Sequence, residues 1–282
     1  LTNKVLEDKF YIALLDDLEK QKLILPTMPE VALKVSDAVS DEDASAKQIA
    51  DVIALDAAIS ARMIQVANSP LLRGSKKTES VEQAITRMGH ALVKSMVITM
   101  AMEQVFKASN PLSKKYMQNI WTQSTQVASI ASAMASHFTR LKPDQAMLAG
   151  LVHNIGALPI ITRAEEIPAL MQDEQIFASL IERLSGPIGT SIMKNWNFPD
   201  NISIVANEHN NYNYDSGEDI DYVDVVIVAK LQNLAGTDHP DAQIDWNDVP
   251  SFCKLGLAGD AEVVEIEDVI MEEIEITQQL FN

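Results

Sequence analysis

Apolar residues recur at three- and four-residue spacing along almost the whole 282-residue chain, and the few glycines and prolines fall between the periodic segments. That pattern points to helices packed on helices, because a half-buried strand would need alternation at period two. No internal repeat, low-complexity tract or convincing strand pattern competes with it. Asp221 to Val228 is rich enough in valine to remain an ambiguous short run.

Local signals place the helices. Val31, Val35 and Val39 form one stripe after the turn at Pro26 to Pro29, and Ile49, Val52 and Ile53 define a short helix. Asp56 is a candidate cap for a helix carrying Ile59, Met63 and Val66, which stops near Asn68, Ser69 and Pro70. Ser80 with Gln83 three residues on has the form of a capping box, so a helix is predicted over 81–88 and Gly89 ends it. The stretch 91–106 is apolar nearly all round and must be buried; its methionines, Met96, Met100 and Met102, with Met88 just before them, read as adaptable core filler.

After Asn110 and Pro111 a long helix runs over 112–138, in which Ala128, Ala131, Ala133 and Ala135 permit close approach of a neighbour. Asp144 is expected to cap the next helix, through Leu151 and His153 toward Gly156. Further helices are predicted near 174–184, 187–196, 200–209 and 220–234, and a tail at 260–280 with one apolar and one acidic face. The expected architecture is all-α, an N-terminal helical subdomain over 1–110 and a second bundle over 111–282.

Hydrophobic residues make up 47% of the chain, enough for a sizeable core, so a disordered chain is excluded. The net charge of -18 repels phosphate backbones and anionic membranes, and the densest basic stretch, Arg73, Lys76 and Lys77, reads as ordinary surface. Neither nucleic acid nor a membrane is expected as partner. No apolar run is judged to reach the roughly 20 residues of a membrane span. The first residues, with Glu7 and Asp8, lack the apolar core of a signal peptide. A lone cysteine, Cys253, fits a reducing compartment, and the expected location is cytoplasmic.

The segment 148–158 carries most of the chemistry, because it sets His153 beside Asn154 near the end of an otherwise apolar helix. Once buried, these groups either form a hydrogen-bonded core pair or line a site, and spacing alone favours the core pair. His90 and His137 read as caps or dipole partners, and His239 as part of a loop. No phosphate-binding glycine loop, serine-hydrolase elbow or paired Cys-x-x-Cys occurs, and no cofactor is expected.

Several collinear motifs resemble the HDOD family of bacterial signalling proteins, relatives of the HD phosphohydrolases. They are Leu25 to Ala32, Asp56 to Arg62 with Val66 to Ser69, and Ser80 to Ile85 with Met88 and Gly89, and the likeness spans roughly 23–234. The resemblance implies a site built on metal-binding histidines and aspartates, activating water for attack at phosphorus. Here that pattern is eroded. Gln123 stands where a histidine often follows the long helix's tryptophan, and Asn154 replaces the aspartate of the His-Asp pair. The next histidine position falls at Ser185 or Gly186, Glu208 and His209 keep one imidazole, and the final aspartate aligns with Lys230.

An amide carries no charge and an ammonium repels a divalent ion, so no bound metal is expected, a weak site of His153 and His209 with Glu208 being the alternative. Lys230 is expected as a surface lysine; the alternative is that it substitutes for the missing metal charge and pairs with Glu208. The expected role is a non-catalytic regulatory protein, a pseudoenzyme, contacting a protein partner in a signalling pathway, with a nucleotide-like ligand in the cleft as a further possibility. The alternative is a metal-dependent phosphohydrolase acting on a nucleotide or phosphoester.

Overall fold

The computed structural model describes residues 3–41, 44–69, 72, 74, 76–108, 110–258, 270, 271, 274, 275, 277 and 278. It is all-α, with no strand among the described residues. The chain divides into two compact units, one of residues 1–26 with 106–270 and the other of 27–105 with 271–282. The first helix, α1 (Asn3–Glu19), therefore lies with the later part of the chain, where it packs on α10 and α11 below, rather than with the helices that follow it in sequence.

The smaller unit holds α2 (Glu30–Ser40), α3 (Ala46–Ile53), α4 (Ala57–Ala67), α5 (Val81–Met88) and α6 (His90–Val105). Their apolar stripes meet in a core of Val35, Ile49, Ile53, Met63, Ile85, Val97 and their neighbours, and Met96 and Met100 fill it as expected. Asp56 caps α4, accepting from Ala58 N–H at 2.9 Å and Ile59 N–H at 3.0 Å. Gly89 ends α5 with φ 80°, in the region that favours glycine. Ser80 caps α5, but Gln83 turns back to Glu79 N–H instead of completing a box. The reciprocal boxes are at Ser45 with Gln48 and at Asp221 with Asp224.

The loop after α4 is tied down by Asn68. Its amide donates to Ile64 O at 2.9 Å and Thr78 O at 2.8 Å, and its carbonyl accepts from Thr78 N–H at 2.8 Å. Arg87 adds a bond to Ala67 O at 2.8 Å. Of the basic stretch expected here, Arg73 lies outside the described residues.

The larger unit is built on α7 (Pro111–Phe138), one unbroken helix capped by Asn110, with α8 (Pro143–Val152) and α9 (Ala157–Ala164) after it. Asp144 is not the cap of α8. Lys142 holds that position without a side-chain bond, Pro143 opens the helix, and Asp144 lies in its first turn near the positive dipole end. Pro143–Ala164 is, contrary to expectation, long and apolar enough to cross a membrane, yet 78% of its apolar window is buried and a turn at 153–156 interrupts it.

Then come α10 (Pro168–Gln172), α11 (Glu174–Asn195), α12 (Asp200–Ser203), α13 (Val205–Glu208), α14 (Tyr222–Leu234) and α15 (Pro250–Lys254), with 3-10 turns at Pro240–Gln243 and Trp246–Asp248. The break expected near 185 does not occur, because α11 continues through Pro187. The expected helix over 200–209 is instead two short ones. The valine-rich run from Asp221 is helical, buried almost throughout α14. His90 directly follows the Gly89 cap of α5 and opens α6; His239 caps the turn at 240–243, accepting from Asp241 N–H at 3.2 Å. Most of the expected tail helix lies outside the described residues, although Ile270 and Ile274 are buried and Met271 is exposed.

Candidate functional site

Small residues bring the site's helices together. A side chain at Gly150 would place its first carbon 2.7 Å from Ala128 Cα, so α8 lies backbone to backbone on the alanine face of α7. At Gly156 the same atom would fall 1.9 Å from Ser185 O, so only glycine lets the turn after His153 seat on α11. One turn further along α11, Gly189 admits Ala206 of α13, and Gly186 admits Asn207. The Ser185, Gly186, Pro187 run that resembles a helix break is thus the small-residue face on which two other elements rest.

These contacts carry His153, just past α8, to His209, just past α13. Their rings meet edge to face, centroids 4.8 Å apart at 78°. Both are buried, 5% and 2% exposed. His153 Nδ1–H donates to Gly150 O at 2.6 Å, which fixes its tautomer and leaves Nε2 with a lone pair. Neither ring nitrogen of His209 has a partner, and Asn154 Oδ1, Ser185 Oγ and Ser124 Oγ are buried without one too. Burial pushes the His153 imidazole down to about 4, the Gly150 carbonyl resisting and the Lys230 charge adding to the fall. Burial, then His153, then Lys230 hold His209 well below its ordinary value. Both are neutral near pH 7.

Lys230 is neither on the surface nor paired with Glu208. Its side chain is 16% exposed, and its ammonium donates to Asn210 Oδ1 and, at 2.8 Å, to Tyr212 Oη. Asp241 Oδ2 lies 3.9 Å away and accepts the Tyr212 hydroxyl at 2.5 Å. Burial pulls Lys230 down to about 8 against the opposing pull of Asp241 and Glu182. The carboxylate of Glu208 is held by the amides of Asn207 at 2.7 Å and Asn211 at 2.9 Å. It lines an open pocket of about 480 Å³ with Pro187, Thr190, Lys194 and Asp200.

Of the residues singled out in the sequence, His153 and His209 touch, and Lys230 reaches both electrostatically. Asn154, next to His153 in the chain, and Ser185, packed against Gly156, contribute buried polar atoms, and Gly186 packs on Asn207. Gln123 is exposed on α7, and the buried polar residue beside it is Ser124. Sequence reasoning missed Asn210, Tyr212 and Asp241. The run of amides and tyrosines after His209 was the available signal, but its link to Asp241, 29 residues from Tyr212, was not visible.

A family model described as the HDOD domain matches residues 25–212. The chain belongs to the HDOD family. It is 32% identical to a Shewanella amazonensis SB2B protein provisionally named a metal-dependent phosphohydrolase, with a TM-score of 0.84 and full coverage of both chains. A Geobacter sulfurreducens HDOD domain protein of unknown function shares the fold at 21% identity, TM-score 0.69, with 97% of each chain covered. A Marinobacter aquaeolei VT8 protein provisionally named for signal transduction does so at 19% identity and TM-score 0.65, covering 100% of this chain and 67% of that one. No curated protein matches the chain.

The metal ions implied by kinship to HD phosphohydrolases do not suit this HDOD site. It offers two neutral imidazoles, one already committed at Nδ1, next to an ammonium. Among the described residues no group of three or more histidine, cysteine, aspartate or glutamate side chains comes together. A divalent ion held by protein ordinarily has three or four such ligands, with carboxylates or thiolates offsetting its charge.

Proposed function

We propose that this HDOD protein is a non-catalytic regulatory component of bacterial signal transduction, a pseudoenzyme acting by binding a protein partner or a small, nucleotide-like ligand. One observation carries the reading: the touching histidines feel the Lys230 ammonium, and among the described residues no third histidine, cysteine or carboxylate joins them to hold a metal. Metal activation of water for attack at phosphorus needs a bound cation, which an ammonium beside the imidazoles opposes. The net charge of -18 supports a protein partner over nucleic acid or an anionic membrane.

The test is elemental analysis of protein purified without chelator, together with a phosphodiesterase assay in added manganese. A metal-free, inert protein is the expected result. A stoichiometric transition metal with turnover that His153→Ala abolishes would establish the second reading, a metal-dependent phosphohydrolase. Two observations favour that alternative: the provisional name of the Shewanella protein, and the Nδ1–H bond of His153 to a carbonyl, an orientation that metal-binding histidines share.

A further inference from the structure

Lys230 follows the buried run 222–229 of α14, and three oxygens from two separate loops converge on its ammonium: Asn210 Oδ1, Tyr212 Oη at 2.8 Å and Asp241 Oδ2 at 3.9 Å. The Tyr212 ring lies 5.0 Å from the same nitrogen. Oxygens gathered from loops around one positive centre are what a bound cation produces, and here the centre is a side chain. The loop it organises begins at Asn210, the residue after His209.

We propose that Lys230 is a tethered cation in the place of a metal ion: it draws Asn210, Tyr212 and Asp241 around its ammonium and keeps free divalent ions off His153 and His209. The proposal rests on the non-catalytic reading above and supplies its physical cause. An ammonium has donors only, so it satisfies acceptors but cannot ligate. Its charge repels a divalent ion at the neighbouring imidazoles, and burial leaves little water to screen that repulsion. On this account the Lys230 charge adds to the eroded ligand positions and completes the exclusion of a metal ion from His153 and His209. A carboxylate in place of Lys230 removes the repelling charge and adds an anionic oxygen, giving the two-histidine, one-carboxylate set that divalent transition metals accept.

The experiment compares the full chain with its Lys230→Asp and Lys230→Met variants, titrating cobalt(II) and following its visible absorption, with zinc calorimetry as a second readout. Lys230→Asp is expected to take up one ion at least about tenfold more tightly than the unaltered protein, by the Coulomb argument. Adding His209→Ala should abolish the signal. Lys230→Met, which keeps the apolar stem and loses only the charge, is expected to gain affinity as well, and it decides the matter by the same criterion if Lys230→Asp loses its helical circular dichroism. No gain in a folded variant overturns this proposal and leaves the non-catalytic reading in place. One ion bound equally well by the unaltered protein through His209 overturns both.

Discussion

Two half-buried asparagines, Asn68 in the smaller unit and Asn154 in the larger, show how differently the two units use a polar side chain. Asn68 spends its amide on three backbone partners and so fixes the loop between α4 and α5. Asn154 buries its carbonyl oxygen without a partner, beside a histidine pair of which one member has two unpartnered nitrogens. The smaller unit is not free of such atoms, since the hydroxyls of Ser69 and Thr78 are buried unpaired. Those are single hydroxyls flanking a satisfied clamp. In the larger unit, besides Ser113 and Gln232, the unpartnered atoms of Ser124, Asn154, Ser185 and His209 lie on elements that Gly150, Gly156 and Gly189 let approach one another, and a buried polar group there costs stability without returning a hydrogen bond. One asparagine holds the fold, and the other marks a site the fold tolerates.

Breaking the clamp gives the largest expected effect. Asn68→Leu removes three hydrogen bonds and leaves Thr78 N–H and two carbonyls to find other partners, a loss of about 3 kcal/mol at about 1 kcal/mol each. Urea unfolding with hydrogen exchange over 76–80 measures it. A loss below about 1 kcal/mol would mean that Asn68 is not what orders this loop, and the contrast with Asn154 would fall.

The histidine pair sharpens the comparison through pH. A histidine held neutral in the folded state and ordinary when unfolded takes up its proton on unfolding, so stability is full above pH 6.5 and is lost as pH falls toward 4, the lowered value for His153. Between pH 6.5 and 5 each such histidine removes about 2 kcal/mol. Burial pushes Asp224 up, the opposite sense, so the difference between proteins is the measurement rather than the raw slope. Urea midpoints at the two pH values should differ less in His209→Phe than in the unaltered chain. Equal differences would mean that His209 is not held neutral by the fold.

Much of this architecture can be read from the residues. Asp56, Asn110 and Gly89 set helix ends because a cap or a positive φ is a local property, and the alanines of α7 foretold a close neighbour that Gly150 confirms. The continuity of α11 could not be read, since Pro187 is a local breaker and the contacts that keep the helix whole come from Gly156, Ala206 and Asn207. In the site, the identities of His153, Asn154, His209 and Lys230 were visible, and the family resemblance put both histidines in one site, but the edge-to-face contact of their rings was not. Least visible was the setting of Lys230. A lysine usually keeps its charge in water, and nothing in α14 alone reveals that Asn210, Tyr212 and Asp241 gather around it.

The smallest effect is expected where the comparison is most delicate. Leucine has nearly the shape of asparagine and no polar atoms, so Asn154→Leu removes a buried oxygen that bonds to nothing while keeping the volume beside Ile155. If the carbonyl is only a tolerated cost, the variant is as stable as the unaltered chain or gains up to about 1 kcal/mol, opposite in sign to Asn68→Leu. The same substitution in a satisfied position is costly because it strands partners; here there are none to strand. Urea denaturation of the two variants side by side gives the sign directly. A loss at Asn154 comparable to that at Asn68 would show that its oxygen has a partner in solution, and the larger unit would then hold its asparagine for the same reason as the smaller one.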